Sequence, residues 1–438
     1  MTMDWPSISV RDERCSEGES DMISAEENEQ LTAVGAGTPG GEMLRHYWHV
    51  VCPTAELAGD QRTRRVSLLG EKLVAYRDLS GTYGLVEERC PHRNASLYYG
   101  YVEEAGIRCA YHGWMYDETG ACTEQPFEPK QESTREAFHH TAYPVQELAG
   151  LLFTYMGPQP APQLPRWDVL ARGDGTRVLE VHPDLDCNWL QCQENSLDPV
   201  HTHYLHVRRM VEKGLWEPST LRAPQRYAFQ QFGLGIVKKR VFGKDGDVAW
   251  TQLGHPAIFP NILRHVIERP GPGGVADADS ISALPIDLQI RVPRDDTHTQ
   301  IYVMYFTPND DGRDDPKAFA PQVDYIQTKN DAGDFHLTSF PSQDEMAWET
   351  QGPITDRTLE RLGVSDTGIV MWRRLMHDQI GVVQDGGEPI GVFRGLEENE
   401  IIDLGPSREW NGERWITKRW AGWGETSVWE SPDVKLSH

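Results

Sequence analysis

The 438-residue sequence predicts an α+β protein: a small β domain made of hairpins, followed by a larger domain with an antiparallel sheet and helices at its ends. Three observations predict this. Short apolar runs between Val66 and Val86 are broken by Gly70, Gly81 and Gly84, which is hairpin patterning. Four prolines between Pro158 and Pro165 punctuate the chain and mark a boundary. Beyond that boundary the strand-like segments are mostly consecutive, so they pair as neighbours rather than alternating with helices.

From the N-terminus, residues 1–24 are polar and acid-rich and read as a poorly ordered leader. A helix is expected from Ala25 to Val34 and another from Glu42 to Trp48. Between them, Gly35-Ala36-Gly37-Thr38-Pro39-Gly40 spells a dinucleotide fingerprint by letter. It follows a polar helical stretch rather than a buried strand, and Pro39 stands where the phosphate-binding helix would open, so it reads as a turn. The chain then has no NAD(P)H or flavin site of its own. A strand at Leu151 to Tyr155 closes the first domain. The second has strands around Val178 to Val181, Gly235 to Val241, Ala257 to Leu263, Leu288 to Val292 and Gln300 to Phe306. Its helices are expected near Asn188 to Ser196, Gln343 to Glu349 and Ser365 to Met376, with a solvated acidic loop at Asn309 to Asp315. The divisions are 1–39 (leader and helix), 40–160 and 161–438.

Net charge is −25, which argues against nucleic acid and anionic membrane surfaces as partners. No apolar run has the length of a membrane span, and Met1 to Asp12 lacks the features of a signal peptide. Five cysteines (Cys15, Cys52, Cys122, Cys187, Cys192) show no paired framework, which fits a reducing cytoplasm.

The other two cysteines belong to Cys90-Pro91-His92 and Cys109-Ala110-Tyr111-His112, separated by sixteen residues. Two thiolates on one iron and two imidazoles on the other make the ligand set of a Rieske [2Fe–2S] centre, which passes single electrons. A structural zinc site is the alternative for a Cys2His2 set. Pro91 and Arg93 around the first pair, and Gly106, Gly113 and Trp114 around the second, favour loops at hairpin tips over a finger entering a helix.

The segment Asn195 to His206 places Asp198, His201, His203 and His206 together. Two histidines and a carboxylate suit a mononuclear iron(II) with open positions. His201 and His206 are five residues apart, about 140° on an ideal helix, so they converge only if the helix bends or ends, as Pro199 suggests. Asp198 precedes His201 by three residues and is placed to accept from that ring. A surface histidine patch, or zinc on His203 and His206, is the alternative. His182-Pro183-Asp184 has the spacing of a different iron motif, but Pro183 marks a strand end.

The two cluster strings and the order Asp198, two residues, His201, four residues, His206 closely resemble Rieske non-heme iron oxygenases, specifically the phthalate dioxygenase-like group. The resemblance runs from about Leu31 to Met376 and includes the segments from Leu288 to Pro293 and from Gln351 to Arg357. The extra loop cysteines of the bc-complex type are absent. This resemblance implies a catalytic domain of the helix-grip type. It implies that Cys90, His92, Cys109 and His112 hold the cluster, while His201, His206 and Asp344 hold iron(II), with Glu345 and Asp334 as competing acids. It makes Asp198 and Asn195 the catalytic candidates, Asp198 linking the two centres between neighbouring subunits of a ring trimer. By the same resemblance, electrons come from NAD(P)H through a separate reductase, with or without a ferredoxin. The implied reaction is O-demethylation of a methoxylated aromatic acid. Ring cis-dihydroxylation of an aromatic carboxylic acid, such as a phthalate or chlorobenzoate, is the alternative. An electron carrier or redox sensor with structural zinc is the distant rival. Lys238, Lys239 and Arg240 are candidates for the substrate carboxylate, although only one or two of three consecutive strand residues can face inward. Arg222 and Arg226 are similar candidates, and His255-Pro256 and Phe259-Pro260-Asn261 are candidates for a pocket wall.

Overall fold

The computed structural model describes residues 23–60, 62–129, 138–218, 224–244, 247–265, 286–309, 311–395 and 400–404, and three short strands at 407–410, 415–418 and 434–435. Residues 1–22 of the leader and Arg222 lie outside the described residues.

The hairpin patterning becomes three small sheets. Thr63–Leu68, Glu71–Arg77 and Tyr83–Glu87 form an antiparallel meander. Its first turn puts Leu69 and Gly70 at φ 47° and 79°, the two-residue geometry that fits the twist of paired strands. Tyr101–Glu103, Gly106–Arg108, Met115–Tyr116 and Cys122–Glu124 make a four-stranded sheet. Leu151–Tyr155 lies between Trp48–Pro53 and Val145–Leu148 in the third.

The larger domain holds a nine-stranded sheet. From Gly175–Val181 the order across it runs through His298–Pro308, Ile286–Asp295, Ile262–Leu263, Asp247–Ile258, Gly235–Lys244 and Pro224–Phe232. All these neighbours are antiparallel, and Gln322–Tyr325 adds one parallel edge strand beside Gly175–Val181. The strand expected over Ala257 to Leu263 is instead a hairpin, turning at 259–261. Pro260 has no N–H to give to a ladder, so the run breaks there.

The helix Ala25–Thr32 opens with a capping box: Ser24 accepts from the Glu27 N–H, and the Glu27 carboxylate accepts from the Ser24 N–H. The second helix is Pro39–Arg45, earlier than expected and ending before Trp48. Proline is tolerated in the first turn because its missing N–H has no helical partner there, and Thr38 caps the turn through the Gly41 N–H. Only Gly35–Thr38 form the expected turn; Pro39 and Gly40 belong to the helix, which opens at the proline expected to stand against a helix start.

One hydrophobic core runs from Leu31 and Leu44 through Leu73 and Phe153 to Phe259 and Trp372, so the proline-rich segment does not divide it. A separate small cluster contains Val74, Tyr76, Leu97, Ile107 and Tyr116 together with Cys90 and Cys109.

Candidate metal centres

The two cysteine–histidine strings form facing tips. Each is closed by its own main chain: Asn94 N–H to the Cys90 carbonyl (2.8 Å) in one, Gly113 N–H to the Cys109 carbonyl (3.0 Å) in the other. Asn94 and Gly113 stand at φ 58° and 79°, where a β-branched residue would be strained. The cysteines are buried and the histidines half-buried. The His92 and His112 rings lie 4.5 Å apart, and His92 stacks flat on Trp114 at 4.3 Å. The Cys90 and Cys109 thiols share a hydrogen bond that holds the Cys109 thiol down and pushes the Cys90 thiol up, and the Tyr111 and His112 N–H groups add to the lowering at Cys109. The two sulfurs are thus in mutual contact, and His92 Nδ1 is buried with no partner among the described residues. Two inner sulfurs and two outer imidazoles fit a cluster whose irons differ in ligand type.

The second site is built on a helical segment and a late helix. His201 opens the π-helix Thr202–Arg208, and His206 lies within it. In a π-helix, hydrogen bonds span five residues, so positions five apart stack on one face. This, rather than a bend at Pro199, lets the rings meet, with centroids 5.3 Å apart. Asp344, on the helix Phe340–Glu349, brings Oδ1 to 3.2 Å from His206 Nε2 and 4.0 Å from His201 Nε2. One ligand atom from each of the three lies within 4.8 Å of the others. Asp344 Oδ1 is buried without a hydrogen-bond partner among the described residues, an orphan that a metal ion would satisfy. Gln343 Oε1 lies 2.7 Å from His206 Nδ1 and so orients that ring.

The competing acids go elsewhere. Glu345 is fully buried and meets His182 Nδ1 at 2.7 Å, on another side of the same helix. Asp334 closes an exposed turn with Asn330. His182 follows the strand ending at Val181, as Pro183 implied. His203 packs edge-on against Tyr204 and stays outside the triad.

Asp198 caps the segment it precedes. Its Oδ1 accepts from the Val200 and His201 N–H groups at 2.7 and 3.1 Å. Oδ2 lies 3.7 Å from His201 Nδ1, beyond hydrogen-bond reach, on a side chain 23% exposed. Burial pushes this carboxyl upward, but His201, the Val200 N–H and the Lys238 ammonium outweigh it and hold it below the usual range. Only one oxygen is thus left for imidazole partners. Asn195, half-buried, is the last residue of the helix Trp189–Asn195, and its carbonyl accepts from the Asp198 N–H.

The sheet face opposite these helices is polar, where a helix-covered face is ordinarily apolar. Lys238 donates to the Ser196 and Asp198 carbonyls at 2.8 and 3.0 Å. Arg240 reaches Thr202 Oγ1 at 2.9 Å, the Pro199 carbonyl and His255 Nε2 at 3.2 Å. Lys239 points the other way along the alternating strand and is half-buried. The Lys238 and Arg240 heads therefore brace the segment carrying Asp198 and His201, a role that spacing along the chain does not reveal. His255 lies at φ 52° in the bulge facing the Ile236–Lys238 stretch, which re-aims its ring toward Arg240. Arg226 is half-buried on the next strand over. Phe259 belongs to the core, and Asn261 donates to the Arg291 carbonyl.

Comparison with known proteins supplies the family. Residues 47–144 match the Rieske [2Fe-2S] domain, and residues 286–402 match the LigXa C-terminal domain like family. The chain is 38% identical over 400 residues to the 5,5'-dehydrodivanillate O-demethylase oxygenase subunit of Sphingobium sp., covering 87% of this chain and 86% of the relative. This chain belongs to the Rieske non-heme iron oxygenases. The phthalate 4,5-dioxygenase oxygenase subunit of Pseudomonas putida is 31% identical, covering 95% and 98% of the two chains. Among solved structures, Pseudomonas putida CBB5 NdmA shares the fold with a TM-score of 0.56 at 21% identity, over 79% of this chain and 93% of that one. A Rieske oxygenase subunit of this type carries a [2Fe–2S] cluster and a mononuclear iron, and both sites have the donors for them.

Several residues that build this Rieske oxygenase site gave no signal in the sequence. Gln191 ties the helix before the iron motif to the helix of Asp344, donating to the Trp348 and Gly352 carbonyls at 2.9 and 3.0 Å. Glu194, buried, receives Arg357 (2.8 Å) and Arg373 (2.7 Å). The string from Gln351 to Arg357 was legible as a family resemblance, but its partner could not be read from spacing.

Proposed function

We propose that this chain is the terminal oxygenase of a multicomponent system that O-demethylates a methoxylated aromatic acid. Cys90, His92, Cys109 and His112 hold the cluster, and His201, His206 and Asp344 hold the iron. When bound, the cluster supplies single electrons and the iron activates O2. What supports the substrate class is the 38% identity over 400 residues to the 5,5'-dehydrodivanillate O-demethylase oxygenase subunit. In a chain of net charge −25, the buried Lys238 and Arg291 both lie within electrostatic reach of Asp344, which agrees with an acidic substrate. Hydroxylation of a methoxy carbon gives a hemiacetal that collapses to a phenol and formaldehyde.

The chain's own groups do the positioning. Gln343 fixes the His206 ring, the Asp198 carboxylate and Lys238 fix the turn before His201, and Glu345 with His182 fixes the rotation of the Asp344 helix. The exposed part of Asp198 and the half-buried His112 suit a bridge between neighbouring subunits of a ring trimer. A separate reductase supplies the electrons, and the setting is the cytoplasm. No helix among the described residues is long and apolar enough to cross a membrane.

The test is product analysis with both metals loaded, a surrogate reductase, NADH and a panel of methoxylated and unmethoxylated aromatic acids. Formaldehyde in step with a phenol is the expected result. A cis-dihydrodiol without formaldehyde replaces the reading with ring dihydroxylation.

A further inference from the structure

Arg291 lies on the strand Ile286–Asp295 and is 1% exposed. It shares a face with Asp287 and Gln289, and it points at the helix Trp189–Asn195 that leads into the iron motif. Its hydrogen bonds are sparse for a guanidinium with five donors: Gln193 Oε1 at 3.4 Å and Gln289 Oε1 at 3.1 Å. Its Nε is buried with no partner among the described residues. Arg264 and Arg357 meet the carboxylates of Asp168 and Glu194, and Arg177 is bonded to three main-chain carbonyls, whereas Arg291 has only two amide oxygens among the described residues. Asp287 is turned to His265, whose N–H it accepts at 3.1 Å. Lys238, across the same face, spends two of its three donors on carbonyls and likewise meets no carboxylate among the described residues. Burial pushes Arg291 down to about 10 and Lys238 well below its ordinary value, and Asp344 pulls both back, so both cations lie within electrostatic reach of the iron site. A stranded buried cation destabilises the free protein and persists where a ligand completes it.

We infer that Arg291, assisted by the remaining donor of Lys238, is the anchor for the substrate carboxylate. The guanidinium offers Nε and an Nη edge in the fork that matches a carboxylate. This anchor rests on the aromatic-acid reading under Proposed function and adds the residue that would read the acid. It also moves the leading role from the Lys238–Arg240 string to a strand three places across the same sheet.

The test uses the full-length, metal-loaded oxygenase, with 5,5'-dehydrodivanillate and a set of methoxybenzoates, each against its methyl ester. Binding is followed by titration calorimetry and by the rise in Tm on adding ligand. Wild-type enzyme is expected to bind acids at least about tenfold more tightly than esters, as a charge-assisted contact gives. Arg291→Gln removes that preference and the acid-induced rise in Tm, while the ligand-free variant melts no lower than wild type. Arg291→Lys restores part of the preference. A ligand-free Arg291→Gln protein that melts lower and loses acid and ester binding equally makes Arg291 structural and overturns the anchor. So does a variant that keeps the preference, or a wild type with no preference. Formaldehyde release by wild type is scored separately: with formaldehyde formed and Arg291 indifferent, only the anchor fails. With Arg291-dependent acid binding but no formaldehyde, the anchor stands and the demethylation reading fails.

Discussion

The cluster loops and the iron triad differ in how far the chain must travel to complete them. Each cluster tip is closed by hydrogen bonds within a few residues, Asn94 to Cys90 and Gly113 to Cys109, and the two tips face each other across one small core. The triad needs residues 201, 206 and 344, a π-helix and a separate late helix, held in register by Gln191, Gln343 and the Glu194 arginine pair. The difference teaches where damage should be felt. The cluster site answers to its own loops, whereas the iron site answers to buried groups far from any ligand.

The largest expected effect is at Asp344. Asp344→Ala should lose the mononuclear iron and all turnover while the visible absorbance of the cluster is kept, as iron analysis and spectra would register. Glu345→Ala should weaken iron binding without abolishing it, since its carboxylate serves His182 and steadies the Asp344 helix rather than meeting the metal. The opposite pattern would reverse the two assignments.

Next comes Asp198→Asn. Asparagine still caps a helix, so both metals should load, but its amide leaves no second carboxylate oxygen for the imidazoles. Single-turnover reoxidation of the reduced cluster with substrate and O2 should slow by about a hundredfold, the upper end of what losing a partner of a metal-bound histidine costs. Reoxidation near the wild-type rate would remove the bridge and the case for a trimer.

A smaller effect, in the fold itself, is expected from Glu194→Gln. It leaves Arg357 and Arg373 buried without their shared carboxylate, costing about 3–5 kcal/mol; Glu360 still holds part of Arg373. Denaturant unfolding should show the loss, and iron occupancy should fall before cluster occupancy. Equal loss of both metals would break the contrast between a local and an assembled site.

The smallest is His112→Cys. A [2Fe–2S] centre should still form, with a potential lowered by on the order of a hundred millivolts because a thiolate stabilises the oxidised state. Redox titration of the loaded variant decides it, and an unchanged potential would take His112 off the ligand set.

Much of this was legible in the chain. Cys90, His92, Cys109 and His112 stand in two short strings whose glycines and proline already require tight loops, so the local chemistry specified the local shape. The hairpins, most strands of the large sheet and the turn at Gly35–Thr38 were likewise readable from period and punctuation. Two features were not. Pro260 split an expected strand by withholding a ladder donor, and the histidine spacing was met by a π-helix, which no residue type encodes.

The sequence by itself determined the candidate ligands, the family and the order of most elements, because these depend on residues close together along the chain. Only the tertiary structure decided that Asp344 rather than Glu345 faces the histidines, since adjacent helix positions differ by about 100° and packing sets the rotation. It alone gave Lys238 to main-chain carbonyls and left the Arg291 Nε buried without a partner among the described residues. Whether a charged side chain is spent on its own fold or left for a guest depends on what lies across the sheet from it. That neighbour is supplied by folding, not by spacing.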